Sequence, residues 1–245
     1  MSKNITIILS THNEELSIDY TISELIKHIK DVEIVVVDDN SPDGTLEILK
    51  KINYPKLKIF IREKNKGLAS AFLLGLINSS GDIIGWLDSN MGSLAIKFPE
   101  MISKLDNADI VLLSRYVSGG RDDRNIIRVV ASRLINNLAR FMLRSKIQDL
   151  SSGIFIMKRK VLLDVVPVAT GHGEFFVEFL YKAEKKGNNI IEIPYVHPVD
   201  KEGNSKSFPN LGRFLLLGFF YILRLFQAIF RRWNILNYND RKYYT

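Results

Sequence analysis

The sequence predicts an α/β protein: a mostly parallel central sheet flanked by helices, followed by a C-terminal amphipathic helix. Three observations predict it. Short apolar runs rich in Ile, Val and Leu recur through the first half. Stretches with helical patterning separate them, which marks βαβ units and a sheet buried on both faces. The 245 residues, 46% hydrophobic and 25% charged, suffice for one large core.

The elements follow in order. Ile5–Leu9 is the first strand, and Glu14–Ile29 the helix after it. Glu33–Val37 and Leu57–Ile61 are the second and third strands, followed by helices near Thr45–Lys51 and over Gly67–Asn78. Asp82–Leu87 is the fourth strand, with a helix near Phe98–Leu105, and Asp109–Leu113 is the fifth. The second half is less regular: a helix over Asn125–Leu143, a strand at Ile154–Met157, a helix at Glu174–Lys186 and a strand at Ile190–Val196. Asp200–Phe208 is polar and reads as a loop. One domain over 1–207 is expected, with a basic amphipathic, membrane-associating helix and tail over 208–245.

Charge sharpens the tail. The formal net charge is +7, and eight Lys or Arg against two acids lie after residue 200, so the body is nearly neutral. The uninterrupted apolar run Phe214–Leu223 is too short to span a bilayer, which takes about 20 residues. At helical spacing Arg213, Arg224 and Arg231 fall within about 20° of one another, with Gln227 near the same line. That pattern suits an anionic membrane surface. A helix packed on the body or on another subunit is the plainer alternative. Nucleic acid is disfavoured as a partner, because these cations are embedded in Leu, Phe and Ile. The N-terminus has no signal-peptide pattern.

Several chemistries are excluded. There is no cysteine, hence no disulfide and no thiolate nucleophile. G-x-G-x-x-G, the P-loop sequence and G-x-S-x-G are all absent. His12, His28, His172 and His197 have no zinc-type spacing. What remains is a set of polar loops after strands: Ser10–Glu14, Asp38–Thr45, Asp88–Asn90 and Ser114–Tyr116. A parallel sheet presents its ligand site at those strand ends. Taken singly, Asp43-Gly44-Thr45 is a turn and helix start, and Glu14 a residue of a first helical turn.

These loops, in this order, resemble the family 2 glycosyltransferases of the GT-A fold, and within them the polyprenyl-phosphate branch that includes dolichol-phosphate mannose synthases. Thr11-His12-Asn13-Glu14 resembles the opening TYNE, and Val37–Thr45 resembles VDDxSPDGT. Asn65–Ala71 is similar to NxGLGxA, Ser114–Gly120 to SRYVxGG, Asp149–Gly153 to DxTSGF and Gly203–Lys206 to GxSK. The resemblance implies a nucleotide-sugar donor site at Thr11, Asn13, Glu14, Asp38, Asp39, Ser41, Asp43 and Lys66, with Glu14 and Asp39 at the nucleoside. It implies that Asp88 and Asn90 hold a divalent metal, Mg²⁺ or Mn²⁺, on the donor diphosphate. Asp88 also counts as catalytic, with Arg115, Arg128, Ser132 and Lys201 at a polyprenyl-phosphate acceptor. The spacing of Arg128 and Ser132 puts both on one helix face.

The implied reaction is inverting transfer of a sugar, mannose from GDP-mannose first and glucose from UDP-glucose second, to a dolichyl or other polyprenyl phosphate. The implied location is the cytoplasmic face of a membrane, peripheral, and a membrane-anchoring partner subunit is left open. One motif departs from the family: D-x-D reads Asp88-Ser89-Asn90, with an amide in place of the second carboxylate. That keeps a second class of function in view, a catalytically degraded homologue that binds nucleotide or lipid.

Overall fold

A computed structural model of the chain describes residues 3–64, 66–171, 173–198 and 219–230. The first half runs β1 (Ile5–Thr11), α1 (Ile18–His28), β2 (Glu33–Asp38), α2 (Thr45–Lys51), β3 (Leu57–Ile61), α3 (Leu68–Asn78), β4 (Ile83–Trp86), a 3-10 segment Gly92–Lys97, α4 (Phe98–Lys104) and β5 (Ile110–Ser114). The second half runs β6 (Arg121–Asp122), α5 (Ile126–Leu143), β7 (Phe155–Lys158), α6 (Val161–Asp164), α7 (Glu174–Lys185), β8 (Ile190–Pro194) and β9 (Val196–His197). A last helix, α8, covers residues 219–230.

Among the described residues, seven strands form one sheet in the order β3-β2-β1-β4-β7-β5-β8. All its pairings are parallel except those of β7, which runs antiparallel between β4 and β5. Successive side chains of a strand face opposite sides, and the core divides accordingly. Ile7, Leu9, Ile34, Val36, Val111 and Leu113 pack with α1 and α4. Ile8, Val35, Val37, Trp86 and Leu112 pack with α3 and α7. The second side is aromatic: Phe72 meets Trp86 edge-on at 4.8 Å, and Phe155 meets Phe176 at 5.5 Å. Such pairs add about 0.5–1.5 kcal/mol each beyond their buried area.

The expected elements of the first half are present, and the differences are informative. Helix α1 starts at Ile18 and not at Glu14, because residues 14–17 turn first: the Glu14 carbonyl accepts from the N–H groups of Ser17 and Ile18, each at 3.0 Å. The antiparallel direction of β7 brings its leading loop, Asp149–Ile154, to the edge where the parallel strands end. The two-residue strands β6 and β9 pair with each other beside that edge.

The basic stripe of the C-terminal helix does not face outward at Arg224. That side chain is 7% exposed. Its guanidinium pairs with Glu178 of α7 at 3.4 Å and donates to the Thr170 carbonyl at 2.7 Å. Packing Leu225 and Ala228 into the core turns position 224 inward, since all three lie on one helix face. Phe219, Phe220, Phe226 and Phe230 are left outward and exposed. Arg213, Arg231 and the expected boundary at residue 207 lie outside the described residues. No described helix is long and apolar enough to cross a membrane.

Candidate active site

The C-terminal ends of β1, β2, β4 and β5 lie along one edge of the sheet. The β1 and β2 loops are laced together there. Asp38 is fully buried and accepts from the Thr11 hydroxyl at 2.6 Å, the Ser41 hydroxyl at 2.6 Å and the Ser41 N–H at 2.8 Å. The Ser41 oxygen in turn accepts from the N–H of Asn13. Asp43 ties the turn ahead of α2: it accepts from the Thr45 N–H at 3.1 Å and from the Glu15 N–H at 3.2 Å. Thr11, Asp38, Ser41 and Asp43 are therefore struts of the two loops, a role their residue types alone do not distinguish from ligand contact.

Asp39 stands on a second frame, which sequence reasoning missed. Arg62, 9% exposed, donates to it from Nε at 2.8 Å and from Nη2. The Gly67 N–H donates to its other oxygen at 2.8 Å. Gly67 has φ +131°, a conformation side chains disfavour, and its carbonyl accepts from Arg62 at 3.0 Å. A β3 end reading Ile61-Arg62 before a glycine was the available signal. Lys66 is exposed beside it.

After β4, Asp88 is half-buried and Asn90 exposed. Burial raises the Asp88 pKa to about 6, against the opposing pull of the Trp86 indole and with a further push from the charge of Glu14. Glu14, half-buried, also accepts from the Ser17 hydroxyl at 2.7 Å. Among the described residues no group of three His, Cys, Asp or Glu could close around a metal. Asp88, with the Glu14 charge beside it and an amide two residues on, fits an open site whose remaining ligands are substrate oxygens.

The second cluster sits after β5. Arg115 is 5% exposed, and its Nε and Nη2 donate to the fully buried Asp149, each at 2.8 Å to an oxygen. Nη2 also donates to Ser151 at 2.7 Å, and Nη1 reaches Ser132 of α5 at 3.4 Å and Asp122 at 3.5 Å. Burial disfavours the guanidinium charge, but Asp149 beside it holds its pKa above the ordinary value. The loop bearing Asp149 is itself gripped. Glu192 of β8 accepts from the N–H groups of Gln148 and Asp149, and Asn136 of α5 accepts from that of Leu150. Asn136, Asp122 and Glu192 were not expected from sequence; all belong to regions without a motif.

Arg115 is thus a buried strut that ends on Ser132. Arg128 lies one helical turn before Ser132 on α5, both half-buried. Lys201 lies outside the described residues. Tyr195 is buried between the two clusters: burial raises its pKa, and the charges of Arg115, Asp149 and Asp88 all act on it. The other side of α5 is apolar and exposed: Ile126, Ile127, Val130, Leu134, Leu138 and Phe141.

The family model for glycosyl transferase family 2 matches residues 6–166, most of the described sheet and both clusters. The chain belongs to glycosyl transferase family 2. It is 30% identical over 211 residues to the dolichol-phosphate mannosyltransferase of Pyrococcus furiosus, covering 82% of this chain and 58% of that protein's length. It is 26% identical to the polyprenol monophosphomannose synthase of Mycolicibacterium smegmatis, over 82% of this chain and 79% of the relative. Among solved structures, glucosyl-3-phosphoglycerate synthase from Mycobacterium tuberculosis with uridine diphosphate superposes with a TM-score of 0.70 at 19% identity, over 93% of this chain and 80% of that one. The same neighbour has been crystallised with Mn²⁺ and with Mg²⁺. These structures establish the GT-A fold, and for this glycosyltransferase-family chain the fold is the one its motifs imply.

Proposed function

We propose that this family 2 protein transfers a hexose, mannose from GDP-mannose in the first instance, to a dolichyl or related polyprenyl phosphate at the cytoplasmic surface of a membrane. The observation that carries the reading is α5. One helix bears Arg128 and Ser132, groups suited to an anionic phosphate, and on another side an exposed apolar stripe of six large side chains. A water-soluble acceptor needs only the first. A lipid phosphate needs both, and the stripe gives it a membrane to come from. The similarity to mannosyltransferases named for polyprenyl carriers supports the same choice.

In this reading Glu14 and Asp39 bind the nucleoside at the ends of β1 and β2. Asp88, with the Asn90 amide oxygen, would hold a divalent cation on the donor diphosphate. Such a cation offsets the negative charge that builds on the leaving group. The acceptor phosphate is anionic near neutral pH, so it needs placement more than deprotonation. Arg128 and Ser132 supply it, with Lys201 a further candidate. A phosphate oxygen attacks the anomeric carbon, the bond to the nucleoside diphosphate breaks, and the configuration inverts. A membrane anchor on a separate subunit is compatible with this arrangement and is not required by it.

The test is transfer of labelled sugar from GDP-mannose or UDP-glucose to dolichyl phosphate in the presence of Mg²⁺ or Mn²⁺. The expected result is label in the lipid extract with GDP-mannose, lost by at least about a hundredfold in Asp88→Ala. Transfer from UDP-glucose alone would replace the donor. No transfer from either, restored by Asn90→Asp, would favour the degraded-site reading.

A further inference from the structure

Tyr116 follows Arg115 directly and brings an uncharged ring and hydroxyl to the cluster after β5. Its hydroxyl donates to the Ser132 oxygen at 3.0 Å. The same oxygen lies 3.4 Å from Arg115 Nη1. A serine hydroxyl has two lone pairs and one proton. With both lone pairs engaged by donors, the proton of Ser132 is left to donate, and donation is what a phosphate oxygen requires. The Tyr116 ring is itself fixed. The guanidinium of Arg115 lies 5.0 Å from its centroid and that of Arg133 5.5 Å. Cations on the ring hold it without using the hydroxyl. Its backbone N–H donates to Ser114 at 3.3 Å.

We propose that Tyr116 is a positioning residue for the acceptor: it locks Ser132 into the rotamer and proton orientation that donate to a phosphate monoester. This inference rests on the lipid-phosphate reading of the site. Ser132 touches the acceptor, and Tyr116 acts through it.

Tyr116→Phe is the informative variant, because it keeps the ring and its two cation contacts and removes only the donor. The expected result is a KM for dolichyl phosphate raised about five- to tenfold, with kcat and the donor KM unchanged within about twofold and an unchanged melting midpoint. Ser132→Ala should raise the same KM, and Tyr116→Phe added to Ser132→Ala should change nothing further, since the interaction it removes is already gone. A Tyr116→Phe effect that persists at full size in the Ser132→Ala background would overturn the proposal, as would a wild-type KM in the single variant.

Calorimetric titration with geranyl phosphate, with inorganic phosphate as a parallel arm, separates this inference from the activity. Should no donor support transfer, weaker and non-additive geranyl phosphate binding in the two variants would still uphold the role of Tyr116. Wild-type affinity in Tyr116→Phe, or no binding of either phosphate by the unmodified chain, would sink it. Equal binding of inorganic phosphate and geranyl phosphate would assign the site to the phosphate group alone.

Discussion

At the scale of residues, burial divides the polar side chains of the sheet edge into two groups. Asp38 and Arg115 carry the charges that the motifs single out, yet both are buried and bonded within the protein. Asp39, Asp88, Arg128 and Ser132 are the half-buried positions at the same edge. Asp149 shows what a strut contributes. Asp149→Asn would take from the buried Arg115 guanidinium its two-pronged partner and leave it the more distant Asp122, and breaking a buried pair costs about 3–5 kcal/mol in comparable settings. Chemical denaturation should register that loss, with transfer activity falling as Ser132 loses its support. An unchanged midpoint would mean that Arg115 is held by Ser151 and Asp122 instead. The residue types of the site were legible in the sequence, because charged loops at the ends of apolar strands stand out. Their supports were not, since Arg62, Asn136 and Glu192 reach the site from distant segments that no local pattern links to it.

At the scale of elements, the edge of the sheet opposite the site is tied by one acid. Glu33, at the start of β2, accepts from the Thr6 hydroxyl of β1, from the N–H and hydroxyl of Ser80 at 2.7 and 2.9 Å, and pairs with Lys58 of β3 at 2.6 Å. Burial alone would raise its pKa, but Lys58, Ser80 and Thr6 outweigh that and bring it to about 2 from 4.5. The unfolded chain therefore takes up the proton first as the pH falls. The stabilisation is complete above about pH 5 and is lost between about 4.5 and 2, amounting to about 2–3 kcal/mol at most. Glu33→Gln should unfold more readily than wild type at pH 7 and lose less stability on acidification; parallel acid-unfolding curves would contradict this. The parallel strands of the first half were legible because both faces are covered and their runs are continuously apolar. The direction of β7 was not, because pairing direction is decided by where the chain returns from α5. The facing of α8 was not legible either. Helical spacing marks a basic stripe, but the inward turn of Arg224 depends on Glu178, forty-six positions earlier on α7.

At the scale of the whole molecule, two kinds of surface meet. The sheet edge offers carboxylates at Glu14, Asp39 and Asp88 on one part and cations and hydroxyls from β5 and α5 on another. Two helices, α5 and α8, turn apolar side chains outward. Exposed apolar faces of this size are uncommon on a protein surrounded by water and suit a lipid surface. The most direct measurement compares two acceptors, dolichyl phosphate in vesicles and a soluble short-chain prenyl phosphate, in the unmodified chain and in Leu134→Glu/Phe141→Glu. The unmodified chain should glycosylate both. The variant should lose transfer to the vesicle-borne lipid by about tenfold or more while keeping transfer to the soluble one, because two exposed apolar side chains become charged on the face proposed to meet the membrane and none changes at the phosphate site. Equal loss on both acceptors, or full activity of the variant on vesicles, would contradict a site that draws its acceptor from a membrane along α5.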